Sequence, residues 1–370
     1  MSTVSQFMTV EPLKSLLEDP TVTEIMVNGF DRIFIERKGM RIPSDRRFES
    51  EHALRYAVER LLEQQPGARV DMQSPMVDIA LPDGSRVNIV IAPVVIGGPH
   101  LTVRKFLRPA TTAEDFVALG TMDRRMAWFL SQAVQSAATI VFSGGTGSGK
   151  TTMLEVLASY IDPAERIITI EDTLELHLRQ PNCVRLIGRM SNVEGEGVIT
   201  LGQLFRNSLR MRPNRIILGE IRGREAVDFL QAITSGHRGS MAVIHAANAR
   251  EALLRIESLA MMAGRGAERG SVLTQISEGI DLVVQLDQHH DGVRRVVAIS
   301  EVVGDPAGGL VIRDLFRWVA TSASRERVEG RFEANGIVPE CARRMRLQGV
   351  DLPDSFFAAD DAGQVDRPAA

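Results

Sequence analysis

The chain has 370 residues, enough for two domains at about 150 residues each. Hydrophobic residues make up 44% of the chain and charged residues 24%, the balance of an ordinary folded, soluble protein. The formal net charge is −4, whereas a protein that depends on non-specific affinity for nucleic acid normally carries a basic surface. The composition therefore argues against nucleic acid as the main partner, and we expect no strong nucleic-acid binding.

No segment predicts membrane insertion or export. The longest apolar run, residues 87–98, spans about a dozen positions, whereas a membrane helix needs about 18. The first 14 residues lack the basic start and the apolar stretch of a signal peptide. Cys183 and Cys341 are the only cysteines, too few for a disulfide framework or a thiolate zinc site. We expect a reduced, cytoplasmic protein that docks on a membrane only through partners.

Residues 1–108 predict a small α+β domain with antiparallel pairing. Alternating apolar residues predict strands over residues 23–28, 32–37, 76–81, 86–91 and 101–106. The apolar spacing over residues 54–62 predicts one helix, with Ser50 as its N-cap and Pro66-Gly67 after its end. Pro82-Asp83-Gly84 predicts the turn of a hairpin.

After a small, polar linker at residues 109–113, strands and helices alternate. Strands are predicted at 139–143, 166–171, 215–219, 240–245, 281–286 and 293–299, and helices at 122–136, 151–160, 201–210, 224–234 and 250–262. This alternation is typical of a parallel, doubly wound α/β sheet, which we assign to residues 114–320. Residues 321–370 become rich in arginine and then small and acidic, and predict a short helical appendage followed by a disordered tail.

A glycine-rich loop after the first strand of this α/β region carries the clearest functional signal. Residues 144–151 fit G-x-x-x-x-G-K-[ST] in the strand–loop–helix context that the motif requires. Glycines let successive backbone N–H groups turn towards a phosphate, and the helix N-terminus adds its positive dipole end. Lys150 would neutralise the β- and γ-phosphate oxygens, and Thr151 would offer its hydroxyl to Mg²⁺. The residues predicted to bind nucleotide are Gly144, Gly145, Thr146, Gly147, Ser148, Gly149, Lys150, Thr151 and Thr152.

Acidic residues at the ends of two predicted strands are candidates for hydrolysis. Glu220 follows an aliphatic strand and would act as the general base on the attacking water. Glu171 and Glu175 come at the end of another strand, where they would either hold Mg²⁺ through water, the role we assign to Glu171, or orient the nucleophile. Acids at strand ends are also common surface residues, so residue type alone leaves a structural interpretation open for all three.

Two of the seven histidines lie where a phosphate sensor is needed. His237 follows the helix over 224–234, and His245 ends the strand over 240–245. We expect both at the carboxyl edge of the sheet, the edge where ligands bind in open α/β sheets. A histidine at a strand end is as often a structural residue, and residue type does not decide between the two roles.

Four sequence boxes occur in order, at residues 144–151, 169–175, 210–222 and 234–245. Together they resemble the boxes of the secretion-system traffic ATPases of type II, type IV and pilus machines. More narrowly, the chain resembles the CpaF/TadA branch, which powers assembly of Tad (Flp) pili. That narrower resemblance rests on residues 23–29 (TEIMVNG), 81–88 (LPDGSRVN), 192–195 (NVEG), 300–303 (SEVV) and 314–317 (DLFR).

The resemblance implies a RecA-like P-loop ATPase domain after a PAS-like N-terminal domain, in a homohexamer that holds ATP and Mg²⁺ between the two domains. It also implies a cytoplasmic location, peripherally associated with the inner membrane through platform proteins of a pilus or secretion machine. Arg86 and Arg104 match the N-terminal arginines that reach the γ-phosphate. Arg210, Arg212 and Arg222 match arginines around the strand before the general base, one of which is expected to act across a subunit boundary.

Asn214 departs from the family pattern, which usually has aspartate after Arg-x-Arg-Pro. An amide carries no charge, which puts any metal or interface role of this position in doubt. Three other functions stay open: a conjugation or type IV secretion ATPase of the same superfamily, a nucleotide-gated scaffold with little hydrolysis, and a RecA-like motor on nucleic acid. The net charge of −4 counts against the last, and the presence of Lys150 and Glu220 counts against the scaffold.

Overall fold

The computed structural model describes residues 11–37, 39–63, 68–81, 84–105, 110–189, 197–263, 268–324 and 327–359. The chain divides into two compact units, Met1–Pro109 and Ala110–Ala370. The predictions for Pro66-Gly67, for Pro82-Asp83, for residues 192–195 and for a tail beyond residue 359 lie outside the described residues.

The described part of the N-terminal unit forms a six-stranded antiparallel sheet with two helices. Its strands are β1 (Val22–Val27), β2 (Ile33–Arg37), β3 (Met40–Pro43), β4 (Met76–Ala80), β5 (Arg86–Val90) and β6 (His100–Arg104). Its helices are α1 (Leu13–Glu18) and α2 (Glu51–Glu63). The strand order is β3-β2-β1-β6-β5-β4. Five strands and α2 agree with the predicted spans to within one or two residues at most ends, whereas β3 and α1 are additional.

Alternation along the strands gives this sheet one apolar face. The buried residues of β5 and β6 are Val87, Ile89, Leu101 and Val103, which pack in one core with α1 and α2. The Ser50 hydroxyl accepts the backbone N–H of Ala53 at 3.2 Å, which confirms the predicted N-cap of α2. Because successive side chains of a strand point to opposite faces, Arg86 and Arg104 lie on the face away from this core.

The described part of the second unit forms a nine-stranded mixed sheet with helices on both faces. Its strands are β7 (Ile140–Gly144), β8 (Ile167–Glu171), β9 (Cys183–Ile187), β10 (Arg215–Leu218), β11 (Met241–Ile244), β12 (Leu282–Gln288), β13 (Arg294–Gly304), β14 (Leu310–Ala323) and β15 (Val328–Ala334). Its helices are α3 (Ala113–Ala118), α4 (Arg124–Gln135), α5 (Lys150–Ala158), α6 (Leu201–Ser208), α7 (Glu225–Thr234), α8 (Ala249–Ala263), α9 (Arg269–Gly279) and α10 (Glu340–Leu347). Among all described residues, no helix has both the length and the apolar character that crossing a membrane requires.

The strand order of the second sheet is β15-β14-β13-β12-β7-β11-β10-β8-β9. The six strands from β12 to β9 run parallel, and their central members are buried and aliphatic, as predicted for an α/β sheet. β7, which leads into the glycine loop, lies between β12 and β11. The residues that follow these three strands therefore meet at one edge of the sheet.

The boundary predicted at residue 320 is wrong, because it falls inside β14. This strand pairs with β13 and with β15, so the sheet continues well past residue 320. Farther along, the Phe357 ring packs edge-on against Phe129 of α4, with ring centroids 5.4 Å apart, and Met345 of α10 is also buried. The segment that carries α10 and Phe357 completes the second unit because it covers the apolar outer face of α4.

Candidate active site

The glycine loop runs from the carboxyl end of β7 into the first turn of α5. The nine residues predicted to bind nucleotide all lie on this segment, from Gly144 to Thr152. Lys150 is 5% exposed, and its Nζ donates to the carbonyl oxygen of Gly145 at 2.6 Å. The buried Ser148 hydroxyl donates to the same oxygen at 2.9 Å. The lysine ammonium is therefore held within the loop.

Three positions of the loop depend on the absence of a side chain. Gly147 has φ 77° and Gly149 has φ 95°, in the left-handed region that favours glycine. At Gly144, a Cβ would overlap with the carbonyl oxygen of Leu286 in β12 and with the Ser148 hydroxyl. The glycines that the motif places here are therefore required by the path of the loop and by its close approach to β12.

A row of polar side chains crosses the carboxyl edge of the sheet from the loop to β8. His245 follows β11, and its Nδ1 lies 3.5 Å from Lys150 Nζ while its Nε2 lies 3.5 Å from Oε1 of Glu220. Arg222 donates from Nη2 to Oε2 of Glu220 at 2.6 Å and from Nη1 to Oδ2 of Asp172 at 3.0 Å. The structure thus brings four predicted residues together and adds Asp172, which was not among the predicted site residues.

The protonation of His245 follows from its surroundings. Burial lowers the pKa of His245 below its ordinary value, and the positive charge of Lys150 lowers it further, although Glu220 acts in the opposite direction. The imidazole is therefore neutral at physiological pH. Its two neighbours imply the tautomer with the proton on Nε2, facing Glu220, and with Nδ1 free to accept from Lys150. His245 thus links the lysine to the carboxylate without adding charge.

Another carboxylate meets the loop at Thr151. The Thr151 hydroxyl donates to Oε2 of Glu175 at 3.4 Å. A hydroxyl beside a carboxylate supplies the hard oxygen donors that Mg²⁺ prefers, and nucleotide phosphates and water complete such sites in proteins. The residues present therefore fit the predicted Mg²⁺, with Glu175 as the carboxylate in contact with Thr151.

Glu171 is buried and holds the backbone that carries Glu175. It is 2% exposed, and its Oε1 accepts the backbone N–H groups of Glu175 at 2.9 Å and Leu176 at 2.8 Å. A Cβ at Gly219 would come within 3.0 Å of Glu171 Cγ, so the neighbouring strand leaves room for this carboxyl. These contacts favour a positioning role for Glu171, whereas its predicted contact with Mg²⁺ through water stays a prediction.

The Glu171 carboxyl predicts a pH dependence of stability. Burial raises the pKa of Glu171 from 4.5 to about 7, although the two backbone N–H groups lower it. The native state therefore binds this proton more tightly than the unfolded chain, and the resulting stabilisation should be lost as the pH rises through about 7. Glu171→Gln keeps the acceptor oxygen and removes the titration. One pH unit corresponds to about 1.4 kcal/mol. Between about pH 5 and pH 8, the free energy of unfolding of the wild type should therefore fall by up to about 3 kcal/mol relative to that of this variant.

Urea unfolding of both proteins across this pH range measures the difference in free energy of unfolding. If the free energy of unfolding changes with pH in the same way in the wild type and in Glu171→Gln, the prediction is contradicted.

His237 does not lie at the carboxyl edge, so this part of the prediction is wrong. It lies in the turn between α7 and β11, at the amino edge of the sheet. Its carbonyl oxygen accepts the Ser240 hydroxyl at 2.8 Å, and that hydroxyl accepts the N–H of Ile216, at the start of β10, at 3.2 Å. A helix that connects two parallel strands must return the chain to the edge where the next strand begins. His237 is therefore separated from Lys150 and His245 of the same chain.

Arg210, Arg212 and Asn214 precede β10 and also lie at the amino edge. Asn214 accepts the backbone N–H of Arg166 through Oδ1 at 2.8 Å, and its own N–H donates to the Arg166 carbonyl oxygen at 2.8 Å. The asparagine thus joins the starts of β8 and β10, far from Thr151 of the same chain. Both arginines are exposed at this edge. The uncharged residue at position 214 therefore lies at the opposite edge of the sheet from Thr151, the predicted Mg²⁺ ligand of its own chain.

Arg86 and Arg104 lie directly opposite each other on β5 and β6 of the N-terminal unit. Their neighbours Val87 and Val103 are buried in the core, so both arginines lie on the other face of the sheet. The pairing thus places the two arginines that were predicted to reach the γ-phosphate side by side on the N-terminal sheet.

Arg294 is a loop contact that no motif predicted. It is the first residue of β13, and its Nε donates to the carbonyl oxygen of Gly147 at 2.7 Å. The two residues are 147 positions apart, and only the pairing of β12 with β13 brings them together. No local signal distinguishes Arg294 from the other arginines, of which the chain has 39.

One protein family model, described as type II/IV secretion system protein, matches residues 7–333. The chain belongs to this family. A putative conjugal transfer protein of Mycobacterium tuberculosis is 35% identical over 297 residues, which cover 78% of this chain and 83% of that protein. VirB11 of Agrobacterium fabrum is 31% identical over 312 residues, which cover 76% of this chain and 89% of VirB11. The broader part of the resemblance, to the secretion-system ATPases, is thus confirmed.

A solved structure supports the fold. The ATPase DotB of Yersinia pseudotuberculosis matches with a TM-score of 0.54 and 18% identity, covering 85% of this chain and 79% of DotB. The predicted fold class, a RecA-like α/β domain preceded by a smaller N-terminal domain, is thereby confirmed.

Proposed function

We propose that this type II/IV secretion system family member is a Mg²⁺-dependent ATP hydrolase that acts as the motor of its machine. The observation that carries the proposal is the row of contacts from Lys150 through His245 to Glu220. A nucleotide-gated scaffold needs only the glycine loop, whereas this row adds a carboxylate linked to the loop lysine. Membership of a family of secretion ATPases supports the same activity.

In the proposed reaction, Glu220 orients the attacking water and accepts its proton. Arg222 binds Oε2 of this carboxylate at 2.6 Å and so fixes its orientation. His245 lies between Lys150 and Glu220, which keeps the group that binds the γ-phosphate at a constant distance from the base. Mg²⁺ beside Thr151 and Glu175 would supply further positive charge at the β- and γ-phosphate oxygens.

The face of the N-terminal sheet that carries Arg86 and Arg104 supplies the second contact to the γ-phosphate in this proposal. In this proposal Arg86 and Arg104, which pair across β5 and β6, both contact the γ-phosphate, and loss of the γ-phosphate on hydrolysis releases them. Binding and hydrolysis would thus hold and release the N-terminal unit, which converts chemistry into movement. We further propose a homohexamer, in which Arg210 or Arg212 at the amino edge serves the site of a neighbouring subunit.

The double change Arg86→Ala with Arg104→Ala is expected to lower ATP turnover at least about 10-fold, because each arginine makes a charge-assisted contact to the γ-phosphate. Affinity for ADP should change less than about twofold, since ADP lacks that phosphate. Phosphate release and titration with a fluorescent ADP analogue measure the two effects. Arg41→Ala, at an exposed position on β3 of the same unit, is the matched control. Unchanged turnover in the double variant would remove these arginines from the site.

For the work that the motor performs, we propose assembly of a Tad (Flp)-type pilus, with the protein held at the inner membrane by platform partners. Residues 23–29 and 81–88, which resemble the CpaF/TadA branch, support this choice. The second candidate is a conjugation or type IV secretion ATPase, which the name of the M. tuberculosis relative, a conjugal transfer protein, favours.

Phosphate release by the purified chain, recorded together with particle mass, tests the motor. Mg²⁺-dependent turnover in a particle of six chains supports the proposal, whereas ATP binding without turnover favours the scaffold. Deleting the gene in the source organism separates the two machines, because loss of surface pili points to pilus assembly and loss of DNA or effector transfer points to type IV secretion.

A further inference from the structure

The β12–β13 hairpin borders the glycine loop on the side away from His245 and Glu220. In the sheet, β12 adjoins β7 on one side, and β11, which leads to His245, adjoins it on the other. Leu286 of β12 pairs in register with Gly144, and Gln288 pairs with Arg294 across the hairpin. The proposed hydrolysis uses no residue of this hairpin.

Two side chains of the hairpin fit against glycines of the loop. The half-buried Arg294 donates from Nε to the Gly147 carbonyl oxygen at 2.7 Å, and its Cδ lies 3.3 Å from the position that a Cβ on Gly149 would take. Gln288 approaches the same stretch, with its Oε1 3.6 Å from the corresponding position on Gly147. Arg294 therefore packs its alkyl part and its guanidinium against the loop just before α5.

The loop determines which way a bound nucleotide points. Lys150, with His245 and Glu220 beside it, marks the γ-phosphate end on the β11 side. A triphosphate that follows the loop from this end therefore carries its ribose and base towards the β12–β13 side. A guanidinium there offers a flat cation for the face of a base.

We propose that Arg294 binds the nucleoside end of the nucleotide, so that the loop and the hairpin hold opposite ends of one ligand. The proposal rests on the proposed ATP site and adds the residue that contacts the base. The bond from Nε to Gly147 keeps the guanidinium plane beside the loop, where its face meets the base. Nucleoside recognition then depends on a residue from β13, outside the sequence boxes of the loop.

Binding of ADP and of inorganic tripolyphosphate to the full chain tests this assignment. Arg294→Ala is expected to weaken ADP binding about 10-fold and tripolyphosphate binding less than about twofold, because only ADP has a nucleoside. Arg331→Ala, on the edge strand β15, is the matched control and should change neither affinity. If Arg294→Ala fails to fold, Arg294→Lys takes its place. Lysine keeps the charge but lacks the planar group, so this variant should show the same selective loss of ADP affinity.

An equal loss of affinity for ADP and for tripolyphosphate would mean that Arg294 contacts the phosphates or maintains the shape of the loop, and would overturn the proposal. Unchanged binding of both would also overturn it. The variant Lys150→Ala distinguishes a failure of the Arg294 assignment from a failure of the proposed ATP site. If Lys150→Ala weakens both ligands and Arg294→Ala weakens neither, only the assignment of Arg294 fails; if Lys150→Ala weakens neither, the ATP site itself is wrong.

Discussion

Lys150→Ala is expected to raise the dissociation constant for ATP about 10- to 100-fold and to lower turnover at least about 100-fold. The lysine ammonium is the cation held within the loop, and each charge-assisted bond that it makes to a phosphate oxygen has no substitute in the variant. The fold should survive, because the Gly145 carbonyl that Lys150 binds belongs to an exposed residue that water can reach. Titration with a fluorescent ATP analogue and phosphate release measure the two effects.

Lys14→Ala, on α1 of the N-terminal unit, is the matched lysine control. A thermal melting temperature close to that of the wild type would show that Lys150→Ala is folded. Normal ATP affinity in a folded Lys150→Ala variant would contradict nucleotide binding by the glycine loop.

Glu220→Gln is expected to lower turnover by about two to four orders of magnitude while ATP affinity stays within about threefold. Glutamine keeps an oxygen that accepts from Arg222, so the side chain keeps its place, but an amide does not take a proton from water. The variant should therefore accumulate bound ATP. Single-turnover phosphate release after mixing with Mg²⁺ and ATP separates the chemical step from binding.

Glu251→Gln, at an exposed position in the first turn of α8, is the matched control for the change from carboxylate to amide. Wild-type turnover in Glu220→Gln would assign the base to another carboxylate, and Glu175 beside Thr151 would be the next to replace. A loss of ATP binding in Glu220→Gln would mean that the row at the carboxyl edge holds the nucleotide rather than the water.

The parts of the site that lie within one strand–loop–helix unit could be predicted from the sequence. The glycines that turn the loop, Lys150 and Thr151 are neighbours in the chain, and the conformation of such a unit follows from local spacing. The position of Glu220 could be predicted because all strands of a parallel sheet end at the same edge of the sheet. The same argument places His237 at the amino edge, since it follows a helix and precedes a strand.

Residues brought together over long sequence distances could not be predicted in this way. Arg222 and Asp172 are 50 positions apart, and Arg294 and Gly147 are 147 apart. The raised pKa of Glu171 depends on burial beside Gly219, which no spacing reveals. The C-terminal segment shows the same limit, because its polar composition conceals the few apolar residues that cover α4.

The sequence by itself determined that a glycine loop with one lysine opens a helix of an α/β sheet, because a motif of eight neighbouring residues specifies backbone and charge together. Only the tertiary structure decided which side chains surround that loop. The strand order places His245 and Glu220 on one side of Lys150 and Arg294 on the other. Packing over the whole sheet sets which strands pair, and this pairing makes β11 and β12 the neighbours of β7.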